Sequence, residues 1–297
     1  MKLEEKELKE LYLKVKKENQ DMSLDEVLQE AFKTVKTSDT DSFEDFRTLI
    51  LKANNINEYD FYTKDVNPEL KKYIENKVFP EYEKNDQGHG ILHIREVIRR
   101  GFALNSTLKL GLDENMIYAI TACHDLGKYI DHENHNLIAA KIFIENEDMK
   151  RFFTDEQRQI IKEAIEDHRS SLEDTPRSIY GKLVSSADRN TRIEIVFIRS
   201  FFVGKWRTPD ENIEDFLDFT FKRLTKRYGK EKPENMFLED ETYKTFLQDM
   251  RNLLKDEIKF KNRYCEVNHI KSRKNRLSDE KGETTYVVGN SDYNMTR

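Results

Sequence analysis

Glycine and proline are so scarce in this chain, ten and five among 297 residues, that few positions suit the tight turns that join β-strands. Charged residues make up 36 % of the sequence. They alternate with Leu, Ile and Phe at spacings of three and four, the period of an amphipathic helix. The expected fold class is therefore all-α. A chain of this length can bury one substantial core and still carry an appended segment. No apolar run approaches the roughly 20 residues that span a bilayer. Met1-Lys2-Leu3-Glu4-Glu5 places charge where a signal peptide carries its apolar stretch, so the expected location is the cytoplasm.

Cys123 and Cys265 are too few for a disulfide framework or a thiolate zinc site. A net charge of −6 offers no reason to expect duplex nucleic acid as a partner, which would call for a basic face. An anionic substrate would need local positive charge, from a metal or from a few Lys and Arg side chains.

Three amphipathic helices are expected in residues 1–65, with Leu8, Leu11 and Val15 on one face of the first. Ser23 and Glu26 form a capping box for the second, and Ser42 starts the third. Asn54–Val66 lacks a helical period and reads as a linker. Pro68 suits a first helical turn, and further helices are expected near 68–78, 91–107, 113–130, 134–147, 154–170, 178–204, 211–228 and 234–266. Thr154 and Gln157 form another capping box. The expected organisation is an accessory helical segment over 1–65, a main helical domain over 66–268, and a polar, disordered tail over 269–297. A protein partner or a second copy of the chain is the expected contact of residues 1–65.

Six of the seven histidines lie between positions 89 and 168. The sharpest element is Ala122-Cys123-His124-Asp125-Leu126-Gly127-Lys128, at the end of the apolar stretch Met116, Ile117, Ala119, Ile120. Burying a carboxylate without a partner is costly, and a cation would offset that cost. Imidazole and carboxylate donors without thiolate suit manganese, iron, magnesium or zinc. His93, His135, His168 and Asp188 each stand at a helix end or on an apolar side, so several helices could aim ligands at one centre. His89 lies in a Gly-flanked loop and His132 reads as solvent-facing. His269 has no supporting context, and Cys123 reads as a buried apolar residue.

His93-Ile94-Arg95-Glu96-Val97, then His124-Asp125-Leu126-Gly127-Lys128, then Ala187-Asp188-Arg189 resemble the ordered signature of the HD-domain superfamily of metal-dependent phosphohydrolases. The resemblance covers roughly residues 68–200 and implies a helical bundle holding one or two divalent ions. It implies His93, His124, Asp125 and Asp188 as ligands of the first metal. His135 and His168 match the extra histidines of the binuclear branch, with Asp125 bridging. The Gly-Tyr-Pro signature of the cyclic-dinucleotide branch is missing, and Gly127-Lys128-Tyr129 stands where guanosine tetraphosphate hydrolases carry Glu-Asp. The expected reaction is attack of metal-bound hydroxide on a phosphoester or phosphoanhydride, with a nucleotide as the favoured substrate. Asp125 would anchor the centre. Lys128, three residues after Asp125, would grip the phosphate from the same helix face, and Arg192 is a second candidate for that task. The alternative is a metal-containing module that senses a ligand without turnover.

Overall fold

A computed structural model of the protein describes residues 3–35, 43–169, 174–207, 212–229, 236–274 and 284–288. Helices form in the expected regions, several of them started by a polar side chain that accepts first-turn N–H groups, as at Asn57, Asp113, Thr154 and Asn212. Helices α1 (Glu5–Glu18), α2 (Leu24–Val35) and α3 (Phe43–Ala53) come first. The Ser23 hydroxyl accepts from the Glu26 N–H, and the Glu26 carboxylate accepts from the Ser23 N–H, so the expected capping box closes. Ser42 lies outside the described residues. Two short helices follow, α4 (Glu58–Tyr62) and α5 (Pro68–Tyr73), the latter prolonged by a π-helical turn at Ile74–Val78. The region read as a linker thus contains α4, started by the Asn57 side chain.

Next come α6 (Ile91–Thr107), α7 (Glu114–Cys123), α8 (His135–Glu145), α9 (Asp155–Glu166) and α10 (Ile179–Ala187). Every residue of α7 from Met116 to Cys123 is buried, as suits a helix that is apolar all round. It packs against α6, α9 and α10, and α8 packs against α9. The later helices are α11 (Ile193–Arg207), α12 (Ile213–Tyr228), α13 (Glu241–Leu253) and α14 (Glu257–Val267). The stretches expected as single helices over 178–204 and 234–266 are each broken. One breaks at Asp188, the C-cap of α10, and the other where the Asp256 carboxylate caps a new start by accepting from the Lys259 N–H.

The chain divides into two compact units, residues 1–188 with 237–239 and residues 189–236 with 240–297. The division differs from the one read in the sequence. Leu8, Val27, Leu28 and Ile50 share one hydrophobic core with Ile94, Ile117 and Leu183. The second unit has its own core around Phe197, Phe216, Phe260 and Tyr264. The disordered tail is corrected in part. Strands β1 (Ile270–Lys274) and β2 (Thr284–Val288) pair antiparallel, with Ile270 opposite Val288 and Lys274 opposite Thr284. The run Thr284-Thr285-Tyr286-Val287-Val288 is β-branched and aromatic, which favours a strand despite its polar surroundings. Residues 275–283 and 289–297 lie outside the described residues. Among the described residues no helix is long and apolar enough to cross a membrane.

A buried ionic cluster ties the N-terminal helices to α6. Arg47 of α3 donates to Asp25 of α2 at 3.0 Å and to Glu58 of α4. Arg99 of α6 meets Asp25 at 3.5 Å and Glu96 at 2.8 Å. Burial would raise the Glu96 pKa, but the Arg99 guanidinium brings it down to about 2. Removing one partner of such a cluster leaves uncompensated charge in a poorly solvated place. Arg47→Ala should therefore cost about 3 kcal/mol of stability. Urea unfolding followed by circular dichroism measures this, and a loss below about 0.5 kcal/mol, typical of a plain surface change, would show the cluster to be energetically idle.

Candidate metal centre

Five helix ends meet at one place in the first unit. His93 stands in the first turn of α6. His124 is the C-cap of α7, and Asp125 follows it. His135 opens α8, His168 follows Asp167, the C-cap of α9, and Asp188 is the C-cap of α10. Three overlapping groups result: His93, His124 and Asp125; His124, His168 and Asp188; and Asp125, His135 and His168. Within each group the potential ligand atoms lie no more than 4.8 Å apart. All six residues singled out as metal ligands are brought together.

Asp125 is the hinge of the arrangement. Its Oδ2 lies 3.6 Å from His93 Nε2 and 3.5 Å from His124 Nε2. Its Oδ1 lies 3.2 Å from His135 Nε2 and 3.6 Å from His168 Nε2. Asp188 Oδ1 joins the first half, 3.1 Å from His93 Nε2 and 3.8 Å from His124 Nε2. One carboxylate therefore turns one oxygen to each half of the site.

The tautomers follow from the neighbours. The Nδ1 atoms of His124, His135 and His168 lie 2.9, 2.8 and 2.7 Å from the carbonyl oxygens of Thr121, His132 and Ile165. A carbonyl oxygen can only accept, so each Nδ1 carries the proton, and in the neutral ring each Nε2 is left with a lone pair. His135 Nε2 and His168 Nε2 then face each other at 3.1 Å, with Asp125 Oδ1 beside them. Two ring lone pairs turned on each other beside a carboxylate oxygen repel; a cation between them reverses the sign.

The electrostatics keep both acids charged. Burial alone would raise the Asp125 pKa, but the imidazoles of His124, His135, His168 and His93 hold it well below the usual carboxylate range. Asp188 is held down in the same way by His124 and His93. Burial lowers the His168 pKa, which favours the neutral, ligating ring. For His124, burial works against charge, but Asp125 and Asp188 outweigh it and the pKa rises. The C-terminal ends of α7, α9 and α10 all deliver residues here, and each brings the negative end of its helix dipole. His93 Nε2, His124 Nε2 and Asp125 Oδ2 are buried without a hydrogen-bond partner, which is costly unless something else satisfies them. Nitrogen and oxygen donors with no thiolate fit a divalent cation of the manganese, iron, magnesium or zinc kind.

Neighbouring segments hold these helix ends by their free carbonyls. The Tyr82 hydroxyl donates to Ala122 O at 2.8 Å, and Asn136 Nδ2 donates to Glu166 O at 2.6 Å. The buried Arg100 guanidinium donates to Ser186 O and Ala187 O, both at 3.3 Å. Sequence reasoning missed all three. The tandem Arg99-Arg100 inside an apolar helix was the available signal for the last. The histidine chain also extends outward, with ring centroids 5.7 Å apart for His89 and His93, 6.2 Å for His89 and His132, and 6.3 Å for His132 and His135. Cys123 is buried, with its thiol pushed up to about 12 by desolvation. His269 lies in the second unit.

Lys128 reaches Asp125 Oδ1 at 3.5 Å, although not by the expected route. The helix expected over 113–130 ends at Cys123, and residues 124–130 continue as turns closed by the Leu126, Lys128 and Ile130 N–H groups on the carbonyls three residues earlier. Arg192, the other expected phosphate contact, belongs to the second unit, just before α11.

Gly127 makes this turn fit. A Cβ there would stand 2.5 Å from Ile138 Cγ2 and 3.0 Å from His135 O, so the turn packs directly on the start of α8. Gly127→Ala should push α8 outward, cost about 1–3 kcal/mol through overpacking, and weaken metal uptake by the His135 and His168 half. Elemental analysis of manganese-loaded protein beside a thermal melt checks both effects; unchanged metal content would separate the turn from the site.

A family model for the HD domain matches residues 90–193, the stretch from the N-cap of α6 through Asp188 to the start of α11. A Clostridium beijerinckii protein bearing the name "Uncharacterized protein" is 28 % identical over 142 residues, which cover 47 % of this chain and 86 % of that protein. No solved structure matches. The bundle that carries this centre, residues 90–193, is thus the part of the chain that matches the HD domain.

Proposed function

We propose that the protein hydrolyses a phosphoester or phosphoanhydride, with a nucleotide as the favoured substrate, at a centre of two divalent ions. The observation that carries this reading is the division of Asp125, one oxygen toward His93 and His124 and the other toward His135 and His168. His93, His124, Asp125 and Asp188 would hold one ion, and Asp125, His135 and His168 the other. A bound divalent ion lowers the pKa of water and polarises a phosphoryl oxygen.

The remaining work falls to side chains of this chain. Lys128, its side chain 10 % exposed, would donate to a phosphoryl oxygen and balance its charge while the fold excludes most water around it. Asp188, with 28 % of its side chain exposed, is the acid of the set most open to solvent. It would accept a hydrogen bond from an incoming water and hold that water's lone pair toward phosphorus. Tyr129, beside Lys128 and 44 % exposed, offers an aromatic face to a base, which supports trying nucleotides first. Contact of residues 1–65 with a protein partner or a second copy would use exposed side chains such as Leu13 and Leu49, because their apolar faces are spent on the protein's own core.

The double variant His124→Ala with Asp125→Ala should lose both bound metal and phosphate release, measured on nucleotides, cyclic nucleotides and generic phosphoesters with manganese, magnesium or zinc supplied. Turnover surviving in that variant would sink the mechanism. Lys128→Ala should keep its metal and raise KM about tenfold, as loss of a charge-assisted contact does. A wild-type protein that binds metal and phosphate but turns over none of these compounds would instead be a ligand-sensing module.

A further inference from the structure

Asn85 stands between two turns of the first unit, one directly after it and one that starts at Asp125, 40 residues on. Its side-chain amide donates to His89 O and to Asp125 O, both at 3.2 Å. Its side-chain oxygen accepts from the Tyr129 N–H at 3.0 Å. One planar group thus commits both its donor and acceptor sides to main-chain atoms, and two of the three belong to the turn that starts at Asp125 and carries Lys128. The other turn closes on itself, because the Asp86 carboxylate accepts from the Gly88 N–H at 2.8 Å and lies 2.8 Å from His89 Nδ1. It therefore behaves as one piece, with the His89 ring fixed on it and set against His93.

We propose that Asn85 is a positioning residue that locks the Asp125–Tyr129 turn to the Asp86–Gly90 turn, so that Lys128 and His89 address the same phosphate from two sides. The inference rests on the phosphohydrolase reading for the identity of that anion. It adds a residue outside the HD-family match at 90–193 and outside the six ligands. The chemistry requires a carboxamide. A carboxylate at this position would keep the bond from the Tyr129 N–H but lose both donations and face two carbonyl oxygens.

The test is calorimetric titration of inorganic phosphate into manganese-loaded full-length protein, with metal content measured on the same samples. Asn85→Ala and Asn85→Asp should each bind phosphate about tenfold more weakly at unchanged metal content, the usual effect of losing a group that orients a ligand. In a background of Lys128→Ala with His89→Ala, Asn85→Ala should add less than about a twofold further loss, because its effect passes through those two side chains. Affinity within about twofold of wild type in both variants would overturn the proposal, and so would losses that multiply in that background or follow loss of metal. Asn85→Asp, close to Asn in volume, carries the test if the alanine variant does not fold. Phosphate binding by wild type without turnover would defeat the enzyme reading and leave the role of Asn85 standing; no phosphate binding by wild type would defeat both.

Discussion

A carboxylate with 1 % of its side chain exposed organises the whole site. Taking the Asp125 charge out of water costs several kcal/mol, and among the described residues the direct neighbour with a permanent charge is Lys128 at 3.5 Å. Four imidazoles surround it instead. Neutral imidazole offers a lone pair to a cation or, once protonated, a charge to the acid, so this shell can serve an ion or a proton. Orientation decides which one is favoured. Three of the rings spend their Nδ1 protons on main-chain carbonyls and turn bare Nε2 atoms inward. That choice makes the centre a set of acceptors, and a set of acceptors calls for a metal.

The surrounding bundle supports that orientation. Buried carbonyls at helix ends need partners, and around α7, α9 and α10 they find them in Tyr82, Asn136 and Arg100. These bonds do two jobs. They satisfy the backbone, and they fix the ends from which His124, His168 and Asp188 project. Further along α6, Arg99 joins the buried cluster of Asp25, Arg47 and Glu58, so the helix that carries His93 is also tied to the N-terminal helices. The first 65 residues thus help hold α6 in place, which a separable appendage would not do.

Much of this was legible in the sequence because helical period and histidine spacing are local signals. His93, His124, Asp125, His135, His168 and Asp188 could be picked out by residue type and by position at the ends of apolar runs, and the structure gathers all six. Partners far apart in sequence could not be read. Nothing near Asn85 announces that its side chain meets Asp125 and Tyr129, and nothing near Arg47 announces Glu58. Helix ends were misplaced where periodicity continues past a cap, as at Asp188, where Ile193 and Val196 prolong the apolar pattern into α11. The hairpin was missed because its strands are short and set among polar residues, so composition outweighed the β-branched run at 284–288.

One of those misplaced ends bears on the chemistry. Had α7 continued to residue 130, the Asp125 N–H would have taken the Thr121 carbonyl in the regular four-residue pattern. His124 Nδ1, which meets that oxygen at 2.9 Å, would then have had to share it with the backbone. Past the end of α9 at Glu166, Ile165 O likewise meets His168 Nδ1 at 2.7 Å, shared there with the His168 N–H at 3.4 Å. Ending α7 one residue and α9 two residues before its histidine thus sets each ring against a helix-end carbonyl. The turn that replaces the helix also brings Gly127 onto α8 and Lys128 onto Asp125, so one interruption of the backbone shapes both halves of the centre.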